Sequence, residues 1–158
     1  MWLLEHGYDV SNETDFEWLE YSARLHGAVS TRLVSISVKS RILWDAIRVK
    51  FPEVDLADYQ VRACDRHLIG ELTGDKVELN LRETWNKVIH GTKVELEWTR
   101  LESESTFEYW SGVIVLSGEK QGKSWTVRLN TGHWIMAMWN FHSMIEEDDA
   151  IDWTELYS

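Results

Sequence analysis

The 158-residue chain has a single cysteine, Cys64, and a single proline, Pro52. One cysteine excludes an internal disulfide and any zinc site built from several cysteines. One proline leaves little room for a proline-rich linker, and no apolar run reaches the roughly 18 residues of a membrane-spanning helix. The first ten residues, MWLLEHGYDV, carry no basic segment before an apolar one. These absences predict a reduced, soluble, cytoplasmic protein without a membrane segment.

Basic residues are also few, since 16 Lys and Arg stand against 27 Asp and Glu, for a net charge of −11. This argues against non-specific DNA binding, which depends on neutralising phosphates. The charges are unevenly distributed. The last 13 residues, EEDDAIDWTELYS, hold six acids and no base, whereas residues 24–50 hold one acid and six bases: Arg24, Arg32, Lys39, Arg41, Arg48 and Lys50. We expect solvated charged faces, and the alternative is a local basic surface that the acidic tail covers.

Hydrophobic spacing predicts helices in the first part of the chain. Apolar residues recur every three or four positions in residues 14–27, 28–51, 55–72 and 78–90. Thr14 and Glu17 form a candidate capping box, and Gly27 is a candidate helix stop. Asp55 is a candidate cap of the third helix, whose predicted buried stripe is Val61, Cys64, Leu68 and Leu72.

After Gly91 the apolar spacing changes to two, which is typical of strands. The segments KVELEWTRL, FEYWSGVIVL and SWTVRLN predict three strands, and TGHWIMAMWNFHSMIEE returns to helical spacing. Helices followed by a meander predict an α+β fold. We expect one domain over residues 1–158, helical over 1–91, with a three-stranded antiparallel meander in 92–131. A closing helix over 132–146 and an acidic tail over 147–158 complete the prediction. Most of the ten tryptophans are expected in the core.

One polar row stands out in the segment LRETWNKVIHG, residues 81–91. Arg82, Asn86 and His90 step by four and lie beside an apolar stripe that is expected to pack inward. Such a row at the edge of a buried face is well placed for a cleft or a subunit interface. Glu83 and Lys87 lie further round the helix and predict an ion pair in water.

The Asn86 and His90 pair resembles the HEPN superfamily, whose ribonuclease members carry an arginine, often followed by asparagine, and then a histidine. LRETWNKVIHG also resembles the LRExxNKIIH segment of a group of uncharacterised bacterial proteins. GKSWTVRLNTGHWIMAM resembles the strand and helix that follow that segment there, so the likeness covers roughly residues 78–142. Trp85 stands where the family has arginine, and Arg82 lies one turn earlier on nearly the same face.

The resemblance implies a protein of a stress or phage-defence system that acts on RNA or descends from a ribonuclease. It also implies a homodimer in which the motif helices face each other. If the row is catalytic, the implied reaction is metal-independent RNA cleavage, with His90 exchanging the proton and Arg82 holding the phosphate. Asn86 would orient either group. The alternative roles are structural, namely a helix-end histidine, an ion-paired arginine and a backbone-bonded amide.

Two other function classes stay open from the sequence. One is a non-enzymatic inhibitor or immunity protein that binds a basic protein partner through its acidic surface. The other is a regulatory ligand-binding domain with an aromatic pocket under the meander. Neither a glycine-rich phosphate loop nor an HExxH element is present, so we expect no nucleotide, metal or other cofactor.

Overall fold

The computed structural model describes residues 8–9, 16–65, 67–73, 79–100 and 107–156. The helices are α1 (Phe16–Lys50), α2 (Leu56–Cys64), α3 (Leu81–His90), α4 (Thr131–Glu146) and α5 (Trp153–Leu156). The strands are β1 (Tyr8–Asp9), β2 (Gly70–Thr73), β3 (Lys93–Thr99), β4 (Phe107–Lys120) and β5 (Lys123–Asn130). The α+β class, with a mainly helical N-terminal part and a helix after the sheet, is confirmed. Among these helices, none combines the length and apolar character that crossing a bilayer requires.

The sheet is antiparallel throughout, in the order β3–β4–β5–β2, and β1 pairs with the start of β4. The predicted meander β3–β4–β5 is therefore confirmed, and β2 extends it by one strand. Residues with a spacing of two point towards the helices and are buried: Ile114, Leu116, Trp125, Val127 and Leu129. Partly exposed or exposed polar residues, such as Thr126 and Arg128, occupy the other face. This alternation is why the strands were recognisable from the sequence.

The first two predicted helices are one helix, because α1 runs for 35 residues through Gly27. Gly27 lies at an exposed position where an added Cβ would meet nothing within 4 Å. A glycine inside a helix costs only about 1 kcal/mol relative to alanine, which packing of Leu25 and Leu33 on either side outweighs. The prediction of a stop at Gly27 is wrong. The helix ends at Lys50, close to the end expected before Pro52. The Thr14–Glu17 capping box lies outside the described residues.

Helix α2 is shorter than predicted and buries a different face. Asp55 caps it as expected, accepting a hydrogen bond from the Asp58 amide at 3.0 Å. The predicted buried stripe is wrong for Val61, which is 66% exposed, and for Leu68, which is 50% exposed, whereas Cys64 and Leu72 are partly buried against the core. Leu56 and Ala63 are buried instead. The segment expected to continue the helix becomes β2, where Gly70 comes so close to β5 that a Cβ would lie 2.5 Å from the Arg128 carbonyl oxygen.

The predicted turn at Thr73, Gly74 and Asp75 lies mostly outside the described residues, which resume at Leu79.

Aromatic side chains from three helices form the centre of the core. Trp44 of α1 stacks on Phe141 of α4 at 5.6 Å between ring centres, and Trp85 of α3 meets both rings edge-on. The Trp85 indole donates to the sulfur of Met138 at 3.1 Å. The three rings thus pack against one another in the core between α1, α3 and α4. The core prediction does not extend to Trp139, which is 71% exposed.

Helix α4 follows β5 without a loop. Asn130 is the last residue of β5, and its backbone nitrogen donates to the Ile69 carbonyl at 2.9 Å. Its side chain accepts from the His133 amide at 3.0 Å and so caps α4, which begins at Thr131. One residue therefore belongs to both the sheet and the helix cap.

The acidic C-terminal segment is not a wholly solvated tail. Ile151 and Leu156 are buried, and the Tyr59 hydroxyl donates to Asp148 at 2.7 Å. The Lys50 ammonium donates to the carbonyl oxygen of Glu155. The expectation of a solvated tail fails because apolar side chains interrupt its acidic residues and pack on the helices.

Candidate functional site

Helix α3 presents its polar row because its buried stripe fixes its rotation. Leu81 and Trp85 are fully buried and Val88 nearly so, while Arg82 and Asn86 are half-buried and His90 is exposed. The helix begins after Asn80, whose side chain accepts from the Glu83 amide at 2.8 Å. The predicted rotation of this helix is thus confirmed at Leu81, Trp85 and Val88, and the fourth residue of the predicted stripe, Ile89, is partly buried.

A cleft of about 480 Å³ lies where α3 meets α1 and the β4–β5 hairpin. Asn86 and His90 of the polar row line this cleft, but Arg82 does not. Its lining combines three cations, two carboxylates and one histidine with an amide and an indole: Arg41, Lys87, Lys120, Glu83, Glu119, His90, Asn86 and Trp125. The cleft therefore brings together residues from three parts of the chain that are distant in sequence.

Arg82 faces a second, smaller cleft of about 280 Å³, which shares Asn86 and Glu83 with the first. Its guanidinium carbon lies 5.9 Å from the centre of the Trp44 ring. Its backbone nitrogen donates to Gln60 at 3.0 Å. The row chosen from the sequence is therefore divided between two clefts, and Asn86 stands between them.

Arg41 of α1 is the arginine that reaches Asn86. One terminal nitrogen donates to the Asn86 side-chain oxygen, and the Nε donates to Asp45 at 2.8 Å. The side chain is 27% exposed. Sequence reasoning counted Arg41 only as one of six bases on a helix, because no local spacing connects it with a residue 45 positions later. Only the packing of α1 on α3 brings the two together.

Lys87 forms part of the cleft wall rather than a solvated pair. Its side chain is 9% exposed, and its ammonium lies 3.4 Å from Glu83 and 4.3 Å from the centre of the Trp125 ring. The predicted pairing with Glu83 is confirmed, but its placement in water is wrong for Lys87. Burial against an indole face holds the positive charge close to the cleft.

The Trp125 ring fits there because its cross-strand partner is Gly118. A Cβ at Gly118 would lie 2.3 Å from the ring.

His90 is the last residue of α3 and opens onto the cleft beside Asn86. Among the described residues, no hydrogen bond engages its imidazole ring. An accessible imidazole with no structural bond can exchange a proton with a bound molecule. Arg41 provides fixed positive charge in the same cleft, so the arrangement suits an anion with an exchangeable proton nearby.

The other described histidines have packing contacts instead. His26 bonds the Val94 carbonyl at 2.7 Å, and His133 bonds the Leu68 carbonyl at 3.0 Å. His142 lies 3.3 Å from the Ser40 hydroxyl, and burial lowers its pKa although Glu146 opposes the shift. Burial likewise raises the pKa of the Cys64 thiol. Within the parts of the chain that the structure describes, no three His, Cys, Asp or Glu side chains are grouped to hold a metal ion.

Comparison with known proteins gives no match of the chain to a protein-family model, a curated protein or a solved structure.

Proposed function

We propose that this chain is a HEPN-like cytoplasmic protein that acts on RNA, with Arg41, Asn86 and His90 holding one phosphate of a single strand. The contact of Arg41 with Asn86 carries the proposal. It brings a guanidinium to the Asn–His pair from another helix, while Trp85 occupies the position of the family's arginine. The resemblance assigned that role to Arg82, which faces the neighbouring cleft.

The charge around the cleft supports an anionic ligand. Three cations outnumber two carboxylates in its lining, although the whole chain carries a net charge of −11. A guanidinium has five N–H donors, and Asp45 and Asn86 each engage one nitrogen of Arg41. The remaining donors can bind phosphate oxygens, which match the planar geometry of a guanidinium.

His90 gives the proposal its chemistry. In transesterification, the ribose 2′-oxygen attacks the adjacent phosphorus, a P–O2′ bond forms and the P–O5′ bond breaks. The 2′-hydroxyl proton goes to a base, and the departing 5′-oxygen takes a proton from an acid. An exposed imidazole can serve either step, and Arg41 can stabilise the charge that develops on the phosphate. A homodimer across the edge of α3, which the resemblance implies, would supply a second His90.

The test is cleavage of a labelled single-stranded RNA by purified protein in the presence of EDTA. His90→Ala should reduce the rate by about 10²-fold or more, the usual loss for a general acid or base. His133→Ala is the matched control, because His133 is also exposed but lines a different cleft. Light scattering of the same samples tests the homodimer.

Two results would change the proposal. RNA binding that depends on Arg41 without any cleavage would mean that the chain binds RNA but does not cut it. Neither binding nor cleavage would reject the proposal altogether.

A further inference from the structure

A stripe of aliphatic side chains runs along the outer face of α1. Val34, Val38, Ile42 and Val49 are 41%, 37%, 64% and 75% exposed. Their spacing of four, four and seven residues places them on one side of the helix, opposite the buried face that includes Trp44. At 1.5 Å per residue the stripe is about 22 Å long. We call these four residues the α1 stripe.

Positive charge borders the α1 stripe on both sides. Helical rotation places Arg41 and Arg48 along one edge. Along the other edge it places three exposed bases: Arg32, Lys39 and Lys50. Asp45 is the one acid between Val34 and Lys50. Helical rotation places it on the stripe side of α1, where it pairs with both Arg41 and Arg48, so the edge formed by these two arginines keeps a net charge of +1. An apolar centre with a charged rim is the usual anatomy of a protein interface.

We infer that the α1 stripe is a docking surface for an acidic amphipathic helix of another protein. The length of the stripe accommodates about four turns of a partner helix, whose apolar residues would recur every three or four positions. Glutamates or aspartates beside that apolar face would meet the two basic edges. The whole-chain charge suggests a basic partner, whereas the local charge of α1 favours an acidic one.

Other anionic partners fit this surface less well. Single-stranded nucleic acid binds through cations and aromatic rings on which bases stack, and the α1 stripe offers only aliphatic side chains. An anionic membrane would attract the basic edges, but its charge extends far beyond the α1 stripe and so also faces the acidic remainder of this −11 chain, which a single helix does not. An acidic helix uses both the aliphatic centre and the basic rim.

The probe is a fluorescent synthetic peptide of about 20 residues, with leucines at helical spacing and glutamates flanking them. A peptide of identical composition in shuffled order is its control. The full chain should bind the ordered peptide at least ~10-fold more tightly than the shuffled one. Ile42→Glu should weaken that binding by at least ~10-fold, because it places a like charge at the centre of the interface. Lys39→Glu should weaken it and reduce its salt dependence.

Val61→Glu is the matched control variant, because Val61 is 66% exposed on α2 and away from the stripe. It should change the affinity by less than twofold. All three variants are at exposed positions, and thermal unfolding confirms that each is folded. Equal binding of the ordered and shuffled peptides, or an equal loss in Val61→Glu, would overturn the inference.

Two further measurements test the other occupants of the α1 stripe. Self-association by light scattering that Ile42→Glu abolishes would assign the stripe to a second copy of the chain. Binding to phosphatidylserine vesicles that Ile42→Glu abolishes, without peptide binding, would assign it to a lipid surface. Either result overturns the inference.

Discussion

Replacing Arg41 with glutamine should weaken RNA binding, whereas replacing Arg82 with glutamine should not. The two substitutions remove the same charge from neighbouring clefts, so long-range electrostatics changes equally in both. They differ in what the side chain reaches. Arg41 bonds Asn86 in the cleft that His90 lines, and Arg82 lies over the Trp44 ring.

The expected loss follows from a single charged contact. A hydrogen bond to a charged group contributes about 1.5–3 kcal/mol, and each 1.4 kcal/mol corresponds to a factor of ten in affinity. Arg41→Gln should therefore raise the Kd for RNA about 10- to 150-fold. Its effect on folding should be small, because the side chain is 27% exposed and water can replace its bonds. A cost of about 0.5–1.5 kcal/mol lowers the melting temperature by about 1–6 °C.

Fluorescence anisotropy of a labelled single-stranded RNA at low, constant salt measures both variants against the parent chain. Arg82→Gln should stay within about twofold of the parent. An equal loss in the two variants would mean that general charge, not the Arg41–Asn86 contact, determines binding. A loss of RNA binding in Arg82→Gln alone would mean that Arg82, as the sequence predicted, and not Arg41 holds the phosphate.

Three predictions concern folding stability. Burial lowers the pKa of His142 below its ordinary 6.5, so the unfolded chain binds more protons; the free energy of unfolding should fall as pH drops below about 6.5. Denaturant titrations at several pH values measure how the free energy of unfolding changes with pH. This pH dependence should be weaker in His142→Gln, and an unchanged pH dependence would contradict the assignment. Gly27→Ala should raise the melting temperature because it adds helix propensity worth about 0.5–1 kcal/mol where nothing obstructs a Cβ. Gly118→Ala should lower it by pushing against Trp125, with about 1–3 kcal/mol lost, and a stabilised Gly118→Ala would refute the contact.

The meander could be predicted because β3, β4 and β5 each show a strand-like apolar pattern in their own sequence, whereas β2 was predicted as helix. In β5 the buried residues alternate strictly with more exposed ones, so local spacing was sufficient. Helix boundaries depended on packing that the sequence does not display. Gly27 resembles a helix stop in the sequence, but Leu25 and Leu33 on either side of it are buried and keep the helix continuous. Strand β2 forms because Gly70 can approach β5 closely.

The candidate site was predictable only along α3. Helical spacing located Asn86 and His90 on one edge, because both lie within one turn of each other. Helical spacing could not show whether Arg82 or Arg41 lies beside Asn86. Arg82 is close in sequence but turns towards Trp44, whereas Arg41 is 45 residues away and reaches Asn86. Contacts between helices depend on how their buried faces pack, and that information is distributed over the whole core.

The direct junction of β5 and α4 restricts how the length of this chain can vary. The backbone nitrogen of Asn130 donates to the Ile69 carbonyl, and its side chain caps α4. The junction therefore contains no loop residue that could be added or removed without breaking one of these bonds. One inserted residue would turn α4 by about 100° relative to the sheet and carry Phe141 away from Trp44 and Trp85. Insertions, deletions and engineered breaks at this point should therefore abolish folding, whereas the exposed turn at Gln121 and Gly122 can accept extra residues.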